Sequence, residues 1–263
     1  MFFNQFLSRL TFANINLTTG IIVSTTLILF WFVSLIALLA LDINTVPIYL
    51  IILGIFLRIF LQTGLFITTH EAIHGTIYQN SLINDAFGYI TSFLYAILPY
   101  KTLAKNHQLH HRHPASEKDP DFNCLHSNNF LFWYLSFMQE YQKGRQFWIL
   151  LVGMTIIFCT FICLHISIIN IFLFWIIPIL ISSVQLFTFG IFLPHRQRDE
   201  EYSDRHRARS NNYSVFWSFI ACYHFGYHWE HHQYPNLPWY QLPVARQKIL
   251  IEQNNTSDSL LTG

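Results

Sequence analysis

Apolar residues in this chain fall into four runs long enough to cross a bilayer, set apart by polar segments of unequal length. The runs cover about 21–41, 47–69, 147–164 and 171–193. About 20 apolar residues, each rising 1.5 Å along a helix, span the hydrocarbon layer. The joins after the first and third runs are short, "DINTV" and "HISIIN", so the pattern predicts two helical hairpins. A fifth apolar stretch, 82–98, is short and carries Asn84 and Asp85; it predicts an interfacial or re-entrant segment. "FLFWYLSFM" at 130–138 predicts a helix on the membrane surface, with Trp133 and Tyr134 at headgroup level. The expected fold is an all-α integral membrane protein, with four transmembrane helices in two hairpins plus interfacial helices. No repeat or linker divides it. One domain, 1–263, is expected, with a polar tail from about 252.

Charge adds sidedness. Of the 15 Lys and Arg, only Arg58 lies inside a run, and neither short join carries one. Cationic residues concentrate on the cytoplasmic side of membrane proteins, so both termini and the central region 101–145 are expected there. Arg58 is costly in lipid and predicts a structural partner within the bundle. Only 11% of residues are charged and the net charge is +1; the basic stripe that a nucleic-acid partner requires is missing. The N-terminus lacks a basic stretch followed by a small-residue cleavage site, so no cleaved leader is expected. Cys124, Cys159, Cys163 and Cys222 form no C-x-x-C pair and read as small core residues in the thiol form.

The chemistry lies in the histidines. "HEAIH" places His70 and His74 at the end of the second run, four apart and hence on one helix face. "HQLHH" holds His107, His110 and His111, and "HWEHH" holds His228, His231 and His232. Each H-x-x-H-H box offers three ring nitrogens to a common side. His195 ends the fourth run, and all nine fall on the side that the cations mark as cytoplasmic. His224 competes with His195, because it repeats with His228 the spacing of His70 and His74. His113 precedes Pro114, which biases it away from helical geometry, and His126, His165 and His206 read as surface side chains.

Eight to ten neutral imidazoles exceed what one ion can use; two ions with four or five ligands each fit the count. Imidazole suits Zn, Cu, Fe and Ni. An apolar substrate entering from the bilayer offers no carbonyl or phosphate to polarise. The expected chemistry is therefore redox, with dioxygen attacking a C–H bond, and this favours iron over redox-inactive zinc. No catalytic side chain is expected beyond the ligands. Glu71, Asp119, Asp121 and Glu230 stand in or beside the boxes as candidate partners that orient the rings, although "DPDF" also reads as a tight turn.

The stretches "TGLFITTHEAIHG", "ILPYKTLAKNHQLHHRHPASEKDPDF", "SSVQLFTFGIFLPHR" and "FWSFIACYHFGYHWEHHQYPNLPWYQLP" resemble the β-carotene 4-ketolases. These belong to the membrane histidine-box di-iron superfamily of desaturases and hydroxylases. The similarity runs from about 20 to 245, with Glu71 where many members have Asp. It implies conversion of β-carotene ring carbon 4 to a ketone, through echinenone to canthaxanthin, by two hydroxylations and loss of water. The implied cofactors are two non-haem iron ions, with dioxygen as co-substrate. The chain has no Gly-rich dinucleotide or flavin fingerprint and no Cys-ligated iron–sulfur motif, and no haem site is expected. Electrons must then come from a separate protein, with a ferredoxin as the expected donor. Rival readings are a carotenoid 3-hydroxylase or an acyl-lipid desaturase of the same superfamily, and, from another class, a metal transporter. Transporters hold ions near the bilayer midplane, whereas these boxes sit at or beyond the ends of the runs.

Overall fold

The computed structural model describes residues 18–196 and 204–261, with side chains to 252. The expectation about a leader falls on positions outside those residues. Four helices are long and apolar enough to cross a membrane: α1 (Thr19–Leu39), α2 (Ile48–His74), α6 (Arg145–Cys163) and α7 (Ile168–His195). Each lies within a few residues of its expected run, except that α2 continues five residues further, to His74. Its 27 residues reach about 40 Å, against a hydrocarbon layer of about 30 Å. The last turns of α2, which carry His70 and His74, therefore overhang the apolar layer. Gly75, at φ 70°, ends the helix in the left-handed conformation that glycine adopts without strain.

The stretch expected to be interfacial or re-entrant is the second kind. It forms α3 (Ser81–Ala96), followed by α4 (Tyr100–Arg112) at a bend of 103°. The pair begins just beyond the end of α2. It returns there, since His107 on α4 lies 4.5 Å from His70 between ring centroids. Starting and finishing at one end of the bundle, it does not cross. The polar residues that argued against a span shape this hairpin. Asn84 accepts the Ile77 N–H (3.2 Å) and donates to the Tyr78 carbonyl (2.6 Å), closing the turn before α3. Asp85 accepts from the Tyr100 hydroxyl (3.1 Å), and a Cβ at Gly88 would lie 2.2 Å from the Tyr100 ring.

Four further α-helices, α5 (Phe130–Tyr141), α8 (Val215–Cys222), α9 (His228–Gln233) and α10 (Leu242–Leu261), and two short 3-10 turns, Ile43–Thr45 and Trp239–Gln241, complete the described residues. The tail expected from about 252 continues α10 as helix to Leu261. Helix α5 is amphipathic in the sense opposite to that expected. Leu131, Phe132 and Leu135 face outward, whereas Trp133 is only 1% exposed and packs against Phe187 and Phe192. Tyr134 also turns inward, to Ser183 Oγ at 2.7 Å. Aliphatic and phenylalanine side chains therefore meet the lipid, and the two rings with polar handles find protein partners. The cysteines depart from expectation in a similar way: Cys222 is buried, but Cys124, Cys159 and Cys163 are exposed.

Arg58 has the structural partners expected of it. It is fully buried where α1, α2 and α7 meet. Nε donates to the Phe174 carbonyl (3.0 Å), and Nη1 donates to the Trp31 carbonyl (2.7 Å) and to Ser34 Oγ (2.9 Å). The Phe174 carbonyl is available for a definite reason. Its helical donor would be the N–H of residue 178, and Pro178 has none. Helix α7 widens into a π-turn at Phe172–Ile176, and the guanidinium takes the freed acceptor. Replacing Arg58 with Leu strands the Phe174 carbonyl in an apolar core, whereas the Trp31 carbonyl keeps the Ser34 hydroxyl as a donor (3.0 Å). Hydrogen bonds to a buried charge contribute about 1.5–3 kcal/mol, and about 2–4 °C accompanies each kcal/mol in a chain of this size. A loss of roughly 3–12 °C is expected in the thermal unfolding of detergent-solubilised Arg58→Leu. An unchanged midpoint would show that the Arg58 network does not hold the three helices.

Candidate metal centre

All nine histidines expected at the site meet at one end of the bundle, in two groups. His70, His74, His107, His111 and His231 form one; His110, His195, His228 and His232 form the other. Within each group the ring nitrogens lie within 4.8 Å of one another. The helical repeat explains the division. Each H-x-x-H-H box gives its i, i+4 pair to one group and its remaining ring to the other. His107 and His111 join the first group and His110 the second; His228 and His232 join the second and His231 the first. The two boxes thus cross-link the groups.

Ring nitrogens point at ring nitrogens. Nε2–Nε2 separations are 2.7 Å for His74 and His107, 3.0 Å for His107 and His111, and 2.9 Å for His111 and His231. In the second group they are 3.1 Å for His110 and His232 and 3.0 Å for His228 and His232. Two lone pairs at such distances repel unless a proton or a cation lies between them. Burial first, and the crowd of neighbouring rings second, hold His107, His111, His228, His231 and His232 well below the ordinary imidazole pKa. The rings are therefore neutral at pH 7, the form that binds metal. His70 Nε2 is buried without a hydrogen-bond partner. An all-nitrogen donor set of this kind fits two transition-metal ions.

Two rings are visibly fixed by their other nitrogen. His110 Nδ1 donates to Asp119 Oδ2 at 2.9 Å, and His195 Nδ1 donates to the Arg207 carbonyl at 2.8 Å. Each bond selects the tautomer that leaves Nε2 as the donor to a metal. Burial alone would lower the pKa of His110, but the Asp119 carboxylate outweighs it and raises the value. Asp119 is itself held by the N–H groups of Ala115 and Asp121, both at 2.9 Å. The turn after the second box thus both reverses the chain and supplies an orienting carboxylate.

The other candidate carboxylates do different things. Glu71 Oε1 is 3.7 Å from His70 Nδ1, beyond hydrogen-bond length, and Oε2 accepts from Thr76 Oγ1 at 2.5 Å. Glu230 accepts from Arg246 Nη1 at 2.9 Å and from Ser210 Oγ, tying α9 to α10. Glu230 lies one or two positions from each histidine of its box, and residues so spaced do not share a helix face. Asp121 accepts from the Tyr141 hydroxyl at 2.6 Å and lines the cavity described below. His224 joins neither group. The expected helix through His224 and His228 does not form, because Tyr223 (φ 47°) and His224 (φ 60°) turn left-handed after α8. The His224 ring stacks on Tyr227, with centroids 5.6 Å apart. Two partners found here escaped the sequence: the Arg207 carbonyl has no side-chain signature, and Tyr141 was legible only as the third member of the period-four series Trp133, Phe137, Tyr141.

A cavity of about 290 Å³ leads from the histidines into the apolar layer. His70, His107, His110 and His228 stand at one end, and Leu150, Met154 and Leu180 line it further out. Leu180 is 58% exposed on the outer face of α7, so the cavity communicates with the lipid-facing surface.

Nine imidazoles at the end of an apolar helical bundle, beside a cavity open to lipid, define an integral membrane protein built around a histidine cluster. The model of the fatty acid desaturase family matches residues 44–254. The chain is 37% identical over 190 residues to the β-carotene ketolase of Paracoccus sp. (strain N81106 / MBIC 01143), covering 72% of this chain and 76% of that protein. It is 38% identical over 202 residues to β-carotene 4-ketolase 3 of Haematococcus lacustris, covering 72% and 59%. It is 36% identical over 192 residues to zeaxanthin 4-ketolase of Chlamydomonas reinhardtii, covering 72% and 42%. No solved structure matches. The chain belongs to the fatty acid desaturase family. Within that family its similarity is to the β-carotene ketolases.

The close packing of the cavity wall can be tested at Gly190. A Cβ there would lie 2.3 Å from the Phe225 ring, which packs 4.8 Å from His70 between centroids. Overpacking of this kind destabilises by about 1–3 kcal/mol. Gly190→Ala is expected to lower the unfolding temperature in detergent, and a wild-type midpoint would show that Phe225 is free to move aside.

Proposed function

We propose that this chain is a carotenoid 4-ketolase that holds two iron ions in its two histidine groups. The substrate is β-carotene, and the product is the ketone at ring carbon 4, first echinenone and then canthaxanthin. The observation that carries the reading is the five-plus-four division of nine imidazoles at the mouth of a cavity open to lipid. Bound iron would supply the dioxygen chemistry that attacks an unactivated C–H bond, which zinc lacks. Each insertion consumes one dioxygen, two electrons and two protons, and yields one C–OH and one water. A second insertion at the same carbon gives a geminal diol, which loses water to the ketone.

The chain's own residues prepare this reaction. Asp119 and the Arg207 carbonyl fix the rings of His110 and His195. The apolar cavity wall seats the hydrocarbon ring and excludes bulk water. Lys101, Lys105 and Arg112 lie exposed on the face of α4 opposite its histidines. By the positive-inside rule this end of the bundle, with both termini, is cytoplasmic. A soluble electron carrier, a ferredoxin by our reading, would deliver electrons there. A 3-hydroxylase or a desaturase would give an alcohol at carbon 3 or a new double bond, and product masses separate the three.

Expression in bacterial cells that accumulate β-carotene is expected to yield echinenone and canthaxanthin, and a 3-hydroxylated or further desaturated product would displace the assignment. Purified protein is expected to carry two metal ions per chain by elemental analysis; one ion would break the two-group reading. His195 and His224 give a sharper comparison. Loss of His195 removes one of four nitrogens from the second group, so His195→Ala is expected to lose metal and to abolish ketone formation as fully as His70→Ala. His224→Ala is expected to keep both metal ions and much of the activity. Were His224→Ala inactive and metal-poor while His195→Ala retained metal, the ligand assignment would have to be exchanged.

A further inference from the structure

Beside the histidines, the cavity holds a polar pair that stands outside the two all-histidine groups. Its wall is otherwise largely apolar, and two of its other hydroxyls are engaged elsewhere. Tyr95 Oη bonds Ser182 at 3.2 Å, and Ser183 Oγ meets Tyr134 at 2.7 Å. Asp121 and Tyr141 differ: both line the cavity, and Tyr141 Oη donates to Asp121 Oδ1 at 2.6 Å. A carboxylate oxygen of Asp121 lies within 4.8 Å of a ring nitrogen of His110. The pair thus sits where the reacting end of a substrate must lie.

The arrangement is held from one helix face. Trp133 and Tyr141 stand eight residues apart on α5, with Phe137 between them, all on one side. Trp133 Nε1 donates to the Asp121 carbonyl at 2.8 Å, fixing its backbone, while Tyr141 fixes its carboxylate. Two side chains of one helix therefore grip a single acid that has no metal-orienting hydrogen bond of its own.

An unoxidised hydrocarbon ring can make no hydrogen bond to such a pair. The alcohol formed by one oxidation can. We propose that Asp121, steered by Tyr141, accepts the O–H of the 4-hydroxylated ring and holds it in place, so that the second oxidation falls on the same carbon. This rests on the ketolase reading. Asp121 and Tyr141 are positioning residues for the alcohol: they favour its retention over its release and so drive the product to the ketone.

The test is product partitioning by Tyr141→Phe in β-carotene-accumulating cells, with alcohol and ketone measured separately. A hydrogen bond to a carboxylate changes retention by about tenfold or more. The ratio of 4-hydroxylated carotenoid to ketone is expected to rise by that factor. With 4-hydroxy-β-carotene supplied as substrate, KM is expected to rise about tenfold more than KM for β-carotene. A purely structural role would lower both products together. An unchanged ratio, or loss of every product from Tyr141→Phe, overturns the proposal. A wild-type protein that makes no ketone would instead remove the ketolase reading on which it stands.

Discussion

Ring nitrogens from four separate helices must converge within hydrogen-bond distances of each other, and most features of this fold serve that convergence. Imidazole lone pairs that face one another in an apolar interior repel unless a proton or a cation lies between them. Their backbones must therefore be held by the rest of the protein. Helix α2 does this by overhanging the apolar layer, so that His70 and His74 stay helical beyond it. The re-entrant α3–α4 pair does it by returning the second box to the level of the first. The tight turn at Tyr223 and His224 does it by redirecting the chain from α8 into α9, which carries His228, His231 and His232. Each device places a box without carrying an irregular backbone exposed to lipid, which the bilayer does not tolerate.

The same requirement explains the polar residues buried in the spans. Arg58, Gln62, Thr63, Ser182 and Gln185 would each be expensive in hydrocarbon, yet each bonds within the bundle. Trp31 Nε1 donates to Gln62 Oε1 at 2.7 Å, Gln62 Nε2 donates to the Tyr95 carbonyl at 2.6 Å, and Thr63 bonds both Ser182 and Gln185. These bonds link α1, α2, α3 and α7, the helices behind the cluster. The outward faces are almost wholly apolar, and α6 has no buried residue at all. Polar contacts thus set the arrangement of the spans, while lipid covers the rest.

The two prolines of α7 show how a break can be used. Each follows a π-turn, at Phe172–Ile176 and at Thr188–Phe192. At the first, the missing N–H frees the carbonyl that receives Arg58. The second directs His195 to the cluster, with Gly190 allowing Phe225 to approach between α7 and the third box. A regular helix would offer neither the acceptor nor that entry angle.

Much of this was legible in the chain itself. Runs of about 20 apolar residues, the distribution of Lys and Arg, and the i, i+3, i+4 histidine spacing depend on local periodicity alone. They gave the four spans, the candidate side and all nine histidines that meet. The direction in which a short element faces was not legible. Trp133 looked like an interfacial residue and is buried. His224 looked helical and is turned aside by left-handed backbone. Glu230 sat inside a box and pairs with Arg246. The division of the boxes into groups of five and four, the link from His195 to a carbonyl twelve residues away, and the grip of α5 on Asp121 were also beyond it. These depend on which helices pack together and at what angle. Long-range packing decides that, and one helix's periodicity carries no record of its neighbour.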